Sequence, residues 1–147
     1  MAITTNAITN SFKEDLLQGT QNFVAGGGDT FKLALYDSSA SIGADTTSYA
    51  VGISGQVPDS GQYAAGGGTL VTALVSLNGT TAFVDFDDLS FTGVTLTAAG
   101  ALIYNDTEAG DPSVCVLDFG GDKTATAGTF TIQFPAANNT QAIIRIS

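Results

Sequence analysis

The sequence predicts a mainly β fold, an antiparallel β-sandwich or jelly-roll-like arrangement with one short N-terminal helix. Three observations carry that expectation. Apolar and polar residues alternate in Phe31-Lys32-Leu33-Ala34-Leu35-Tyr36 and again in Thr129-Phe130-Thr131-Ile132-Gln133-Phe134, the period of a strand with one face buried. Short β-prone runs recur along the chain with Gly, Asn, Asp and Ser between them, which is the turn chemistry of antiparallel neighbours. Helical periodicity occurs once, near the N-terminus, and this argues against alternating α and β layers.

The helix comes first. Ser11-Phe12-Lys13-Glu14 has the spacing of a capping box, Phe12 and Leu16 lie four apart, and Gly19 stands where a left-handed C-terminal cap is needed. These features predict a helix over residues 12–18. Two turns are unstable alone, so Phe12 and Leu16 have to dock on a sheet. Ahead of the helix, residues 1–10 carry no charge, Pro or Gly and read as a β-prone N-terminal arm. Residues 11–147 read as a single sandwich domain. Such an arm can add a strand to a neighbouring chain's sheet edge; Ile3, Thr4, Thr5, Ile8, Phe12 and Lys13 are the candidate partner-binding residues. An internal edge strand or a disordered tail are the plainer alternatives.

After Gly19 about nine strands are expected, at residues 30–36, 48–53, 69–77, 80–86, 91–97, 101–104, 114–119, 129–134 and 142–146. Asn78-Gly79 is the strongest hairpin signal, because both central residues of a type I′ turn take positive φ. It should join residues 69–77 to 80–86. Ala25-Gly26-Gly27-Gly28 and Ala65-Gly66-Gly67-Gly68 precede strands in similar ways, with Ala127-Gly128 as a fainter echo. Neither glycine run leads into a helix or a Lys-Ser/Thr pair, so a phosphate cradle is not expected.

Composition limits the chemistry. The 147 residues fit one domain with a core that needs no disulfide or metal. Four Lys and Arg stand against 14 Asp and Glu, a net charge of -10, which excludes a basic surface for nucleic acid. Only 12% of residues are charged, about half the usual share, so the surface is plain and suited to contact. No His is present, which removes Ser-His and Cys-His nucleophiles and His-based zinc sites. Cys115, in an apolar run, reads as an inert buried thiol. The N-terminus lacks a basic, then apolar, leader pattern, and no run of 18 apolar residues occurs, so neither a standard secretory signal nor a membrane span is expected.

The remaining motifs have plain readings. Asp85, Asp87 and Asp88 form the densest acidic cluster; a calcium site is one reading and a solvated strand end is the other. Asp59-Ser60-Gly61 matches the triplet of aspartic proteases but follows a Pro and reads as a turn. Asn78-Gly79-Thr80, Asn105-Asp106-Thr107 and Asn138-Asn139-Thr140 match glycosylation sequons and also read as turns. No catalytic, cofactor or metal residues are expected, and no cofactor.

The order of segments adds a further expectation. Ser11-Phe12-Lys13 with Leu16-Leu17 and Gly19, Asp29-Thr30-Phe31-Lys32 leading to Ala34-Leu35-Tyr36, Tyr63 with Ala65-Gly66-Gly67, Gly100-Ala101-Leu102-Ile103-Tyr104-Asn105, Val116-Leu117-Asp118-Phe119-Gly120 and Phe134-Pro135-Ala136 before Ala142-Ile143-Ile144-Arg145-Ile146 resemble a family of small virion structural proteins of tailed bacteriophages. The resemblance runs nearly the whole chain. Where that family has an Arg before the Gly of the Ala-Leu-Ile-Tyr segment, this chain has Ala99. The resemblance implies virion assembly without catalysis. The expectation is an auxiliary capsid protein, a decoration or cement protein, bound as a homo-oligomer, a trimer, to the major capsid protein on the outer capsid surface after synthesis in the bacterial cytoplasm. No nucleic-acid or membrane partner is expected. The alternative is a tail, knob or fibre-associated binding module.

Overall fold

Chain direction reverses wherever a glycine or a short polar loop allows it, and the strands so produced fold into two antiparallel sheets. The computed structural model describes residue 3, residues 6–50 and residues 53–147. Its elements are β1 (Ala7–Ile8), α1 (Asn10–Gln18), β2 (Phe31–Tyr36), β3 (Gly68–Leu70), β4 (Thr72–Asn78), β5 (Thr81–Phe86), β6 (Leu89–Asn105), β7 (Ser113–Ile132) and β8 (Ile144–Ile146). One sheet has the order β1-β7-β6-β2-β3 and the other β4-β5-β8. Every pairing is antiparallel. The fold is a β-sandwich with one short helix.

The main core lies between the sheets. Phe31, Leu33 and Leu35 of β2, Ala101 and Ile103 of β6, and Cys115 and Leu117 of β7 meet Val84 and Phe86 of β5, Ile144 of β8 and Phe12 of α1. Phe23 stacks on Phe31 with ring centroids 4.3 Å apart and meets Phe12 edge to face at 5.9 Å. Full burial of such a side chain contributes about 1.5–3 kcal/mol.

Several sequence expectations need correction. The helix begins at Asn10, with Thr9 as the residue before it, and has no side-chain cap. Ser11 is not the cap. The Thr9 hydroxyl is taken by β7, donating toward the carbonyls of Ser113 and Val114, while the Ser11 hydroxyl faces that of Ser113 at 3.3 Å. The C-terminal end is as expected: Gly19 has φ 75° and its N–H returns to the last turn.

Residues 69–77 are not one strand. β3 joins the large sheet and β4 the small one, and the chain crosses between sheets at the exposed Val71. Residues 91–97 and 101–104 merge into the 17-residue β6, and 114–119 and 129–132 into the 20-residue β7, which ends two residues short of the expected 134. Bulges carry the two strands past their glycines, including Gly100, Gly120 and Gly121 at the bounds of the expected strands: the β6–β7 register shifts between Phe91 and Val94 and between Ala98 and Gly100, and Gly93, Gly120 and Gly121 all have positive φ. Residues 48–53 do not form a strand within the described residues; Ser48 makes only a bridge to Pro112, and positions 51 and 52 lie outside them. The β4–β5 hairpin exists, but its two-residue loop is Gly79-Thr80, with Asn78 paired to Thr81. Positive φ at Gly79 alone, 63°, suits a turn with glycine first.

The alternation in β2 also needs a second reading. Ala34 and Tyr36 do not face water but are fully buried. They form a second core with Leu102, Tyr104 and Val116 on the far face of the large sheet, covered by Ala40, Ile42 and Tyr49 from the segment after β2 and by Ile3. Tyr49 stacks on Tyr104 at 4.4 Å. The large sheet is thus buried on both faces at its centre.

Candidate functional site: an apolar groove beside an open strand edge

The inner face of the small sheet is wider than what covers it. Cross-strand pairing puts Val75, Val84 and Ile144 in one row and Leu77, Ala82 and Ile146 in the next, on the same face. Val84 and Ile144 are buried in the main core, whereas Val75, Leu77 and Ile146 are half or more exposed. The face runs past the edge of its covering layer. There it forms a groove of about 240 Å³ whose other wall is Phe12 and Leu16 of α1 with Phe23 and Val24. Every residue lining it is apolar. The adjoining Leu17 is 92% exposed and Val24 62%. An apolar surface gathered in one place, rather than scattered, marks a contact site.

The partner-binding residues expected from the sequence are placed mostly elsewhere. Ile3 is buried in the second core, its side chain lying over Gly100 where a Cβ would sit 2.7 Å from Ile3 Cδ1. Phe12 is buried in the main core and belongs to the helix-side wall of the groove. Ile8 is half-buried against the same core, and Lys13 is exposed on α1, its Nζ 3.2 Å from Asn10 Oδ1. Thr4 and Thr5 lie outside the described residues. At Ala7 and Ile8 the expected arm is a strand of its own sheet, paired with Val116 and Cys115, because β7 offers it a free backbone edge. Asn6 extends the contact by accepting the Asp118 N–H at 2.7 Å. Sequence reasoning found Phe12 and missed the groove's far wall, Val75 and Ile146, since nothing local reveals that their sheet is left half uncovered.

The chemical motifs fold into structural roles. Asp59 Oδ1 accepts the Ala65 N–H at 2.7 Å, and the Ser60 hydroxyl bonds both the N–H and the carbonyl of Thr95, fastening the turn to β6. Asp87 and Asp88 are exposed beyond β5, and Asp88 accepts the Phe134 N–H at 2.9 Å. Partial burial, then the charges of Asp87 and Asp88, hold the Asp85 carboxyl above its ordinary range. Among the described residues no three Cys, Asp or Glu gather as metal ligands. Burial pushes the Cys115 thiol up to about 12, so it stays protonated at neutral pH.

Besides the Thr9–Ser113 contact at the start of α1, buried polar groups gather around Asn105 and in the second core. Asn105, at the end of β6, donates to Gln21 Oε1 at 3.0 Å and Asp29 Oδ2 at 2.8 Å, and its Oδ1 accepts the N–H groups of Thr107 and Glu108. It ties the α1–β2 loop to the β6–β7 loop. In the second core Tyr104 donates to the Gly66 carbonyl at 2.7 Å and Gln56 donates to Tyr49 Oη at 2.7 Å, while Tyr36 Oη is buried without a partner among the described residues. No helix in the described residues is long and apolar enough to cross a membrane. No family model, curated protein or solved structure matches the chain.

Proposed function

We propose that this chain is a virion structural protein of a tailed bacteriophage, an auxiliary decoration or cement protein bound as a homo-oligomer to the outer face of the major capsid lattice. Its work is contact, and the reading assigns it no reaction and no cofactor. The observation that carries it is the pairing of a net charge of -10 with a collected, uncharged apolar groove. A protein in the interior of a filled shell meets the phosphates of DNA, and 14 carboxylates against four cations are unfavourable there. Outside the shell the same charge is tolerated, and the groove gives the neutral surface on which another protein can close.

The segments that carry the phage-family resemblance support the reading. Ala34-Leu35-Tyr36, Ala101 to Asn105 and Val116-Leu117 fall on β2, β6 and β7, three adjacent strands at the centre of the large sheet. They build the part of the fold buried on both faces. Further segments of the resemblance bring Phe12 and Leu16 of α1 and Ile144 and Ile146 of β8 to the groove, so the likeness covers the scaffold and one side of the groove together.

Quantitative mass spectrometry of purified particles tests the proposal. Hundreds of copies per particle are expected from a shell component. A dozen or fewer would move the protein to the tail, as a knob or fibre-associated binding module, and complete absence from particles would end the virion reading.

A further inference from the structure

The free edges of the two sheets are not protected alike. Natural sheets deter a second chain from pairing with an edge by keeping that strand very short or by setting charges and bulges along it. β1, β3 and β8 have two or three residues each. The length of β7 beyond its pairing with β1 carries Asp118, Asp122 and Lys123 and is kinked at Gly120 and Gly121. β4 has none of these protections over most of its length. Its seven residues include no charge and no Pro, and its single bulge, between Thr72 and Leu74, lies at the end beside the crossover. Among the described residues no backbone hydrogen bond reaches its outer side.

That edge is continuous with the apolar groove. Val75 belongs to both, and Leu77, 68% exposed, follows two residues along on the same face.

We propose that β4 is a self-association edge, at which two copies of the chain pair their β4 strands antiparallel about a two-fold axis at Val75. Thr72 then lies opposite Asn78 of the second copy, so the two strands overlap fully. The two small sheets become one six-stranded sheet in the order β8-β5-β4-β4-β5-β8, a common sheet size, with both grooves side by side on one face. Charge selects the occupant. Two copies at -10 each repel through most of their surfaces, so they can close only where both faces are neutral, and β4 with its groove is such a face. A basic partner would find no carboxylate on β4 to answer it. The contact is also isologous, using one patch twice, as two-fold interfaces do.

Size sets the strength. A seven-residue strand is about 24 Å long, and its edge with Val75 and Leu77 is small against the ~800 Å² per partner of a stable complex. Pairing is therefore weak and concentration-dependent in solution, and it strengthens where copies are held close together. In a three-fold oligomer on a shell, the same edges would join one oligomer to the next. The pairing itself does not depend on the virion reading.

Sedimentation of the full chain from about 10 µM to about 1 mM, the range of weak homodimers, tests the proposal. The mean mass is expected to rise toward that of a dimer with concentration. Val75→Lys sets two like charges face to face across the axis and should weaken association at least about tenfold, with an unchanged circular dichroism spectrum. Leu77→Lys, at a more exposed position near the hairpin, is the second variant should Val75→Lys fold poorly. A wild-type chain that stays monomeric throughout overturns the proposal. So does a dimer that a folded Val75→Lys or Leu77→Lys protein forms as readily as wild type.

Discussion

The hydroxyl of Tyr63 accepts a 2.8 Å hydrogen bond from the backbone N–H of Leu35. Leu35 lies beyond the end of β3, whose pairing with β2 stops at Leu33. Its carbonyl is taken by the Val57 N–H at 3.0 Å. One side chain and one loop amide thus complete the sheet edge where the neighbouring strand gives out, and they bind the long segment between β2 and β3 to the scaffold.

Tyr63→Phe keeps the ring against Phe91, 5.0 Å away edge to face, and removes only the acceptor. A buried N–H left unsatisfied costs about 1–3 kcal/mol. Urea unfolding should register a loss of that size with an unchanged slope; a loss near zero would mean that another group takes the Leu35 N–H.

The buried phenols make stability fall in alkali. Burial pushes Tyr63 up to about 12 and raises Tyr36 and Tyr104 as well, Coulomb repulsion from Tyr49 adding to it in each case. The folded state therefore holds these protons more tightly than the unfolded chain, whose phenols ionise near pH 10. The resulting stability is complete below about pH 10 and is lost as pH rises toward and beyond 12. Phenolate absorption should lag that of the urea-unfolded protein, while the unfolding midpoint drops over the same interval. Coincident titration curves for the two states would contradict the buried cluster.

Asn105→Ala removes both donors and the acceptor that join β6 to Gln21, Asp29, Thr107 and Glu108. A loss of about 2–4 kcal/mol is expected, because buried Gln21 and the part-buried groups of Asp29, Thr107 and Glu108 lose a partner at once. Asn105→Asp should fare no better at neutral pH, since it sets a carboxylate against that of Asp29, and it should recover partly in acid. Thermal unfolding at two pH values separates these effects.

Gly67 and Gly79 both have positive φ, 86° and 63°, yet alanine should affect them very differently. A Cβ on Gly67 would stand 1.7 Å from the Leu33 carbonyl oxygen, whereas one on Gly79 meets nothing within 4 Å. Gly79→Ala then carries only the left-handed backbone penalty, about 1–2 kcal/mol. Gly67→Ala must also displace β3 from β2, and a loss of about 4 kcal/mol or more is expected. Comparable unfolding midpoints for the two variants would refute the close approach.

Much of the fold was legible because strand period and turn chemistry are local. Phe130 and Ile132 are buried and Thr129, Thr131 and Gln133 exposed, as their alternation predicts. The Gly19 cap and the docking of Phe12 were equally readable. The lengths of β6 and β7 were not. Glycine punctuates a strand in the same way whether the chain turns there or bulges and continues, and only the register with a partner strand tells the two apart. The burial of Ala34 and Tyr36 was hidden for a similar reason, since their cover comes from Ala40, Ile42 and Tyr49, which follow the strand but belong to no regular element.

The sequence by itself determined a mainly β chain with one helix, no histidine chemistry and a surface poor in charge, because composition and short-range periodicity need no partner to take effect. Tertiary structure alone decided which edges and faces stayed open. Thr69 and Val75 sit in one β-prone run, but the crossover at Val71 sends one strand into a covered sheet and the other to an uncovered edge. Exposure of that edge depends on how far one layer extends past another, a long-range property that no local pattern encodes.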